Sequence, residues 1–169
     1  MGAEERAIIK FFVAGLPKSM KVGGVARFQR HGKVHMVPKR GNTEWVTLVG
    51  HEGRQVMPPI PFDGPVTFLA RFFMPRPSTL PKKIVLPLKR PDLDNLLHKL
   101  TDQFNGVFWK DDSQIVRLEA VKQFAQDGRI GLEITVEEIE DPTTLALLPS
   151  FVPQPISWST LKRLSADGP

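Results

Sequence analysis

Four aspartates carry the chemistry that this sequence suggests. Asp92 and Asp94 are separated by one residue, and Asp111 and Asp112 follow further along the chain. Carboxylates two positions apart point about 200° apart on a helix, but from an extended backbone they point the same way. Because Pro91 precedes Asp92, we expect the chain to arrive extended and to become helical at about Asp94. Asp92 and Asp94 then converge, and either Asp111 or Asp112 can complete a cluster of three carboxylates.

Such a cluster predicts a site for a hard metal ion. Carboxylates within a few ångströms of one another repel unless a cation or a proton intervenes. Magnesium and manganese accept oxygen ligands and commonly engage phosphate. The sequence has no cysteine, which excludes thiolate nucleophiles and sulfur-ligated zinc. The natural chemistry is therefore metal-assisted hydrolysis of a phosphodiester.

The alternative reading of the same aspartates is structural. An aspartate often caps a helix, and Asp-Asp often forms a turn. In that case the chain would be a DNA-binding protein that does not cut.

The segments around the aspartates have clear apolar periodicities. Leu93–Phe104 places its leucines on one face of a helix, and Asn105-Gly106 supplies a stop signal. Ile115–Phe124 and Arg129–Ile139 have the pattern of strands, and the intervening Gln126-Asp127-Gly128 predicts that the two form a β-hairpin.

The amino-terminal half supplies the rest of the framework. Strands are predicted at Ile8–Ala14 and Val66–Met74, a short hairpin within Ala26–Val37, and a helix at Thr43–Met57 that two glycines weaken. Together the elements predict an α+β fold with a small mixed β-sheet packed with helices. One domain is expected over residues 1–141, followed by a proline-containing tail over 142–169.

Charge is unevenly distributed along the chain. Residues 1–90 contain 16 Lys and Arg against 5 Asp and Glu, whereas residues 91–169 contain 7 against 13. One interpretation is a basic surface for a polyanion beside an acidic metal site. The other is that the two halves neutralise each other across the fold. The candidates for DNA backbone contacts are Lys18, Lys21, Arg27, Arg30 and Lys122.

The composition is that of an ordinary globular protein, 41% hydrophobic and 24% charged. No apolar run approaches the roughly 20 residues of a membrane span. The amino terminus lacks the layout of a secretory signal. We therefore expect a soluble, cytoplasmic protein.

The two aspartate segments together resemble the core motif of the RusA family of Holliday junction resolvases. The resemblance rests on Asp92-Leu93-Asp94-Asn95-Leu96 and on Asp111-Asp112-Ser113-Gln114-Ile115-Val116, with a lysine near the end of the following strand. It implies a homodimeric, magnesium-dependent endonuclease of phage or bacterial DNA recombination and repair, with manganese as a substitute. It also implies that Asp92, Asp94 and Asp112 hold the metal ion, and Asp102 matches a further acidic position.

One position departs from that family. Six residues after the first aspartate the family usually has a lysine, whereas this chain has His98, followed by Lys99. On a continuous helix with Asp94 at zero, His98 would lie at about 40°, Asp102 at about 80° and Lys99 at about 140°. Either His98 or Lys99 can then supply positive charge at the phosphate, and a histidine there would make cleavage more sensitive to pH.

The substrate has more than one candidate. Flaps or replication forks are alternatives to four-way junctions.

A dimer also follows from the resemblance, because resolving a four-way junction requires two opposed nicks. The adjacent pairs Phe11-Phe12 and Phe72-Phe73 lie on predicted strands, where one member of each pair points away from the other. The outward members are candidates for an apolar dimer surface, unless both sheet faces are covered within one chain.

Overall fold

The computed structural model describes residues 8–20, 25–30, 33–38 and 43–139. Lys21 and the predicted tail, 142–169, lie outside these residues. The strands are β1 (Ile8–Ala14), β2 (Val25–Arg30), β3 (Lys33–Pro38), β4 (Val66–Met74), β5 (Ile115–Phe124) and β6 (Gly131–Glu138). The α-helices are α1 (Thr43–Gln55) and α2 (Leu93–Leu97), and two 3₁₀ turns span Thr101–Phe104 and Asp112–Gln114.

The main sheet has the strand order β1-β6-β4-β5, and β2 pairs with β3 in a separate two-stranded sheet. β4 runs parallel to β5 and antiparallel to β6, which is antiparallel to β1. The predicted α+β fold with a small mixed sheet is therefore confirmed. β4 occupies the interior of the sheet, which explains why Phe68, Ala70 and Phe72 are fully buried.

The predicted β5–β6 hairpin is wrong, although both strands exist. β4 lies between them, and each of the two pairs with β4 instead of with the other. The turn residues Gln126-Asp127-Gly128 therefore belong to a connection that passes the end of β4, where Ala125 N donates to Met74 O at 2.8 Å. Strongly apolar β4 gains more by burial between two strands than at an edge.

One face of the sheet is covered by α1 and by the helical segments that follow Asp92. Val49 of α1, Leu96, Leu100 and Phe104 are buried in the same core. The Phe104 ring sits so close to α1 that a Cβ at Gly53 would lie 2.4 Å from it. Gly53, one of the two glycines that weaken the helix prediction, is thus the residue that lets Phe104 pack.

The predicted continuous helix over Leu93–Phe104 is also wrong in its middle. α2 ends at Leu97, Lys99 has a φ of 57°, and the chain resumes as a 3₁₀ turn. Because Leu96, Leu100 and Phe104 are buried on both sides of the break, the apolar repeat continues across it. The angles predicted for His98, Lys99 and Asp102 on one helical wheel therefore do not apply.

The opposite face of the sheet carries the outward members of the phenylalanine pairs. Phe11 and Phe72 are core residues, whereas the rings of Phe12 and Phe73 lie 6.2 Å apart, partly exposed. The Arg129 guanidinium lies 4.0 Å from the centre of the Phe12 ring. No helix among the described residues is long and apolar enough to cross a membrane.

Candidate metal centre and groove

Asp92 stands at the point where the chain changes from extended to helical, as predicted. Its φ and ψ are −71° and 150°, and α2 begins at the next residue. The Asp92 carboxylate accepts a hydrogen bond from Asn95 Nδ2 at 3.2 Å, and Asn95 O accepts one from Met20 N at 2.9 Å. Asp92 and Asp94 are both exposed, so their carboxylates are accessible to a ligand.

Lys122 fixes the segment that leads into Asp92. Its ammonium donates to Pro91 O at 2.8 Å and to Lys89 O at 3.1 Å. Hydrogen bonds from a charged donor are stronger than neutral ones. Lys122 therefore fixes the backbone that leads into α2 against β5. Its contact with DNA remains a prediction.

Asp111 and Asp112 have different environments although they are neighbours. Asp111 caps the 3₁₀ turn: its carboxylate accepts from Ser113 N at 2.9 Å, and the Gln114 side chain accepts from Asp111 N at 3.1 Å. Gln114 also donates to Phe62 O and Gly64 O. Hydrogen bonds from Ser113 lower the pKa of Asp111, so this carboxylate is stabilised by the fold itself.

Asp112 instead faces another acid. Partial burial, a hydrogen bond shared with the Asp102 carboxyl group, and the negative charges of Asp102 and Asp111 raise the pKa of Asp112 above its usual value. A bound cation relieves repulsion of this kind between carboxyl groups. Asp111, which is exposed, and Asp112, which is partly buried, both stay candidates for the third carboxylate.

The acidic residues fall at two ends of β5. Asp112 begins the 3₁₀ turn that directly precedes Ile115, the first residue of the strand. Asp92 adjoins Pro91, which Lys122 holds near the other end. The strand from Ile115 to Lys122 spans about 23 Å at the usual rise per residue. Among the described residues, no three Asp, Glu or His side chains are close enough to hold one ion together.

The sequence profile of Endodeoxyribonuclease RusA matches residues 21–137. The chain belongs to the RusA family. It is 29% identical over 144 residues to the "Uncharacterized protein YqaN" of Bacillus subtilis (strain 168), a match that covers 78% of this chain and 96% of that protein. It is 51% identical over 47 residues to the crossover junction endodeoxyribonuclease rusA of Lactococcus phage r1t, covering 27% of this chain and 36% of the phage protein.

Membership of the RusA family makes the chain a nuclease that acts on DNA. A groove of about 960 Å³ lies beside α2 and includes Asp92 and Asn95 in its lining. One wall is the proline-rich loop 75–91, which follows β4. Arg76 folds this loop by donating to Ile84 O at 2.7 Å and to Pro81 O at 3.0 Å.

The basic candidates of this RusA-family chain belong to different elements. Lys18 is exposed and lines the groove, whereas Arg27 and Arg30 belong to β2, in the separate sheet. His98 and Lys99 are exposed at the helix break. Which of these two takes the place of the usual lysine remains a prediction.

The DNA-facing candidates named from sequence omit two basic residues that line the groove, Lys89 and Arg90. The signal that could have found them is their position directly before the Asp92 segment. A pair of cations adjacent in sequence to a candidate metal-binding segment is a candidate for phosphate contacts.

Proposed function

We propose that this RusA-family protein is a magnesium-dependent endonuclease that resolves four-way DNA junctions as a homodimer. The observation that carries the proposal is the position of Asp92 and Asp94, exposed where the extended chain enters α2 beside the groove, in a chain of the RusA family. The opposed carboxyl groups of Asp102 and Asp112 add to it, because a bound cation relieves repulsion between acids.

The donor chemistry fits magnesium, and manganese as its substitute. Asp92, Asp94 and Asp112 offer carboxylate oxygens, and Asn95 Oδ1 accepts no hydrogen bond from the described part of the chain although it is buried. Magnesium is usually held by one or two carboxylates together with waters and substrate phosphate. When bound, the ion would activate a water and stabilise the leaving oxygen of the phosphodiester.

The chain's own residues bind and orient the DNA. The carboxylates of Asp92, Asp94 and Asp112 would hold the ion, and His98 or Lys99 would supply positive charge at the phosphate. Asp102 and Asp111 would be supporting acids, since the charges of both act on Asp112. The predicted DNA backbone contacts are Lys18, Lys21, Arg27, Arg30 and Lys122.

A dimer resolves the separation of the acidic residues along β5. β5 is at the end of the strand order, so one of its edges has no partner among the described strands. Two copies related by a two-fold axis at this edge would pair their β5 strands antiparallel. Asp92 and Asp94 of one copy would then approach Asp112 of the other, which completes two metal sites at once.

The surface of β5 supports this arrangement. Val116 and Leu118 are 51% and 50% exposed on the strand, and large apolar side chains exposed together indicate a contact surface. The Phe12–Phe73 surface predicted from sequence is a second candidate for the dimer contact. Pairing through β5 has the advantage that it joins the two halves of the metal site.

A synthetic four-way junction tests the proposal, with linear duplex and flap DNA as controls. We expect paired nicks in the junction with magnesium or manganese and none with a chelator. Cleavage of the flap in preference to the junction would favour a flap or fork nuclease, and absence of cleavage with either metal would favour a non-catalytic DNA-binding protein. A nuclease of branched DNA acts where that DNA is, so we place the protein in the cytoplasm of a bacterial or phage-infected cell.

A further inference from the structure

The loop that forms one wall of the groove holds large apolar side chains in solvent. Leu88 is 81% exposed and Leu86 is 53% exposed, while Leu16 on the facing segment is 49% exposed. All three line the groove. Apolar side chains exposed together on one surface usually mark a binding site.

The loop is anchored at both ends, so this exposure is part of its folded shape. Arg76 binds the carbonyls of Pro81 and Ile84 near the start of the loop. Lys122 binds the carbonyls of Lys89 and Pro91 near its end. Because the backbone is held on either side of Leu86 and Leu88, the leucines are presented in advance of any ligand, which lowers the entropic cost of binding.

The edges of the groove carry charge that complements an anion. Lys18, Lys89 and Arg90 are exposed and line it. Phe124 lies at the end of β5 in the same lining, and the Arg76 guanidinium is 5.1 Å from the centre of its ring. An apolar interior with cationic edges matches a nucleotide, which has an apolar base face and an anionic phosphate.

We propose that the groove binds an unpaired nucleotide of branched DNA, next to the phosphate that is cut. This inference rests on the proposed function. In a duplex the faces of the bases are covered by stacking, so only a nucleotide that is unstacked at a branch presents its face to Leu86, Leu88 and Phe124. The groove thereby distinguishes branched DNA from linear duplex, and Asp92 in its lining keeps the selected nucleotide beside the metal site.

The full-length protein tests this with a junction that carries the fluorescent base 2-aminopurine at the branch point. We expect a change in its fluorescence on binding, and no change when the analogue is placed within a duplex arm. The double variant Leu86→Ser, Leu88→Ser should bind the junction about tenfold more weakly, as expected when a base loses its stacking surface, while linear duplex is bound as before.

Ile60→Ser is the matched control, because Ile60 is 77% exposed and lies outside the groove. It should bind and cut the junction like the wild type. Junction cleavage by a double variant that binds as tightly as the wild type would overturn the groove proposal and leave the proposed function standing. A change in oligomeric state of the double variant would assign the groove to a second copy and also overturn it. If the wild type cuts no DNA, the proposed function itself fails.

Discussion

The two ends of β5 use charge in opposite ways. Near the end of the strand, Lys122 donates to two backbone carbonyls, and Arg76 does the same for the loop beside it. Before the start of the strand, Asp112 faces Asp102, a group of its own sign. The cations at one end bind backbone carbonyls and so fix the shape of the loop. The carboxyl groups at the other end face each other, and a cation could relieve their repulsion.

The largest effect on junction cleavage is expected from substitution of the proposed metal ligands. Asp92→Asn and Asp94→Asn should each reduce junction cleavage by more than about a hundredfold, since supporting residues alone cost up to about that factor. Junction binding should remain, because removing a negative charge does not repel phosphate. Asp127→Asn is the control, an exposed aspartate in the connection after β5. Full cleavage by either variant would remove that residue from the metal site.

A smaller effect on junction cleavage is expected from Lys122, whose ammonium is bound to backbone carbonyls of the same chain. Lys122→Met removes the donor to Lys89 O and Pro91 O, so the entry to Asp92 loosens. Cleavage should fall about 10- to 100-fold, with a higher magnesium concentration at half-maximal rate. Lys122→Arg should restore part of the activity. Lys10→Met, which removes a cation paired with Glu133, is the control. An unchanged magnesium requirement in Lys122→Met would show that Lys122 does not position the site.

Asp102→Asn tests the effect of the opposed carboxyl groups without removing one of the proposed metal ligands. In metal-free protein the pKa of Asp112 should fall part of the way toward its ordinary value of 3.8. Because a raised folded-state pKa disfavours the ionised form, the wild type loses stability as pH rises through it. Asp102→Asn should therefore have the higher melting temperature at pH 7, and the difference should vanish below about pH 3. A difference that is equal at both pH values would contradict this account.

The smallest effect is expected at an exposed ion pair. The Lys110 ammonium contacts Asp63 at 2.5 Å, with both side chains mostly in solvent. Lys110→Met should change the free energy of unfolding by less than about 1 kcal/mol, because solvent and salt screen such pairs. Urea denaturation measures it. A loss of several kcal/mol would mean that this pair fixes the acidic turn as firmly as Gln114 does.

The same comparison explains what the sequence could predict. The bounds of β1, β4 and β5 agree with the structure because glycine, proline or polar residues interrupt clear apolar runs. The pairing of β5 with β6 could not be predicted, because their short connection is equally compatible with β4 lying between them. The break at Lys99 has no glycine or proline signal.

The candidate site was predictable in its residue types but not in its assembly. The spacing of Asp92 and Asp94 predicts their extended entry, and the local pattern cannot distinguish Asp111 from Asp112. That difference comes from Ser113, Gln114 and the distant Asp102. A helix break and a 3₁₀ turn lie between Asp94 and Asp112, so the motif read along the chain does not fix their distance in the fold.

Complementation between two inactive variants tests the central claim most directly. In a heterodimer of Asp94→Asn and Asp112→Asn, a metal site shared between copies leaves one site with all its carboxylates. We expect the mixed protein to nick one strand of the junction, although each variant alone is inactive. A mixture of Asp92→Asn and Asp94→Asn should stay inactive, because both changes lie at the same end of β5. If wild-type chains exchange with either variant and the Asp94→Asn and Asp112→Asn mixture still fails to nick, each site is built within a single chain and the shared site is contradicted.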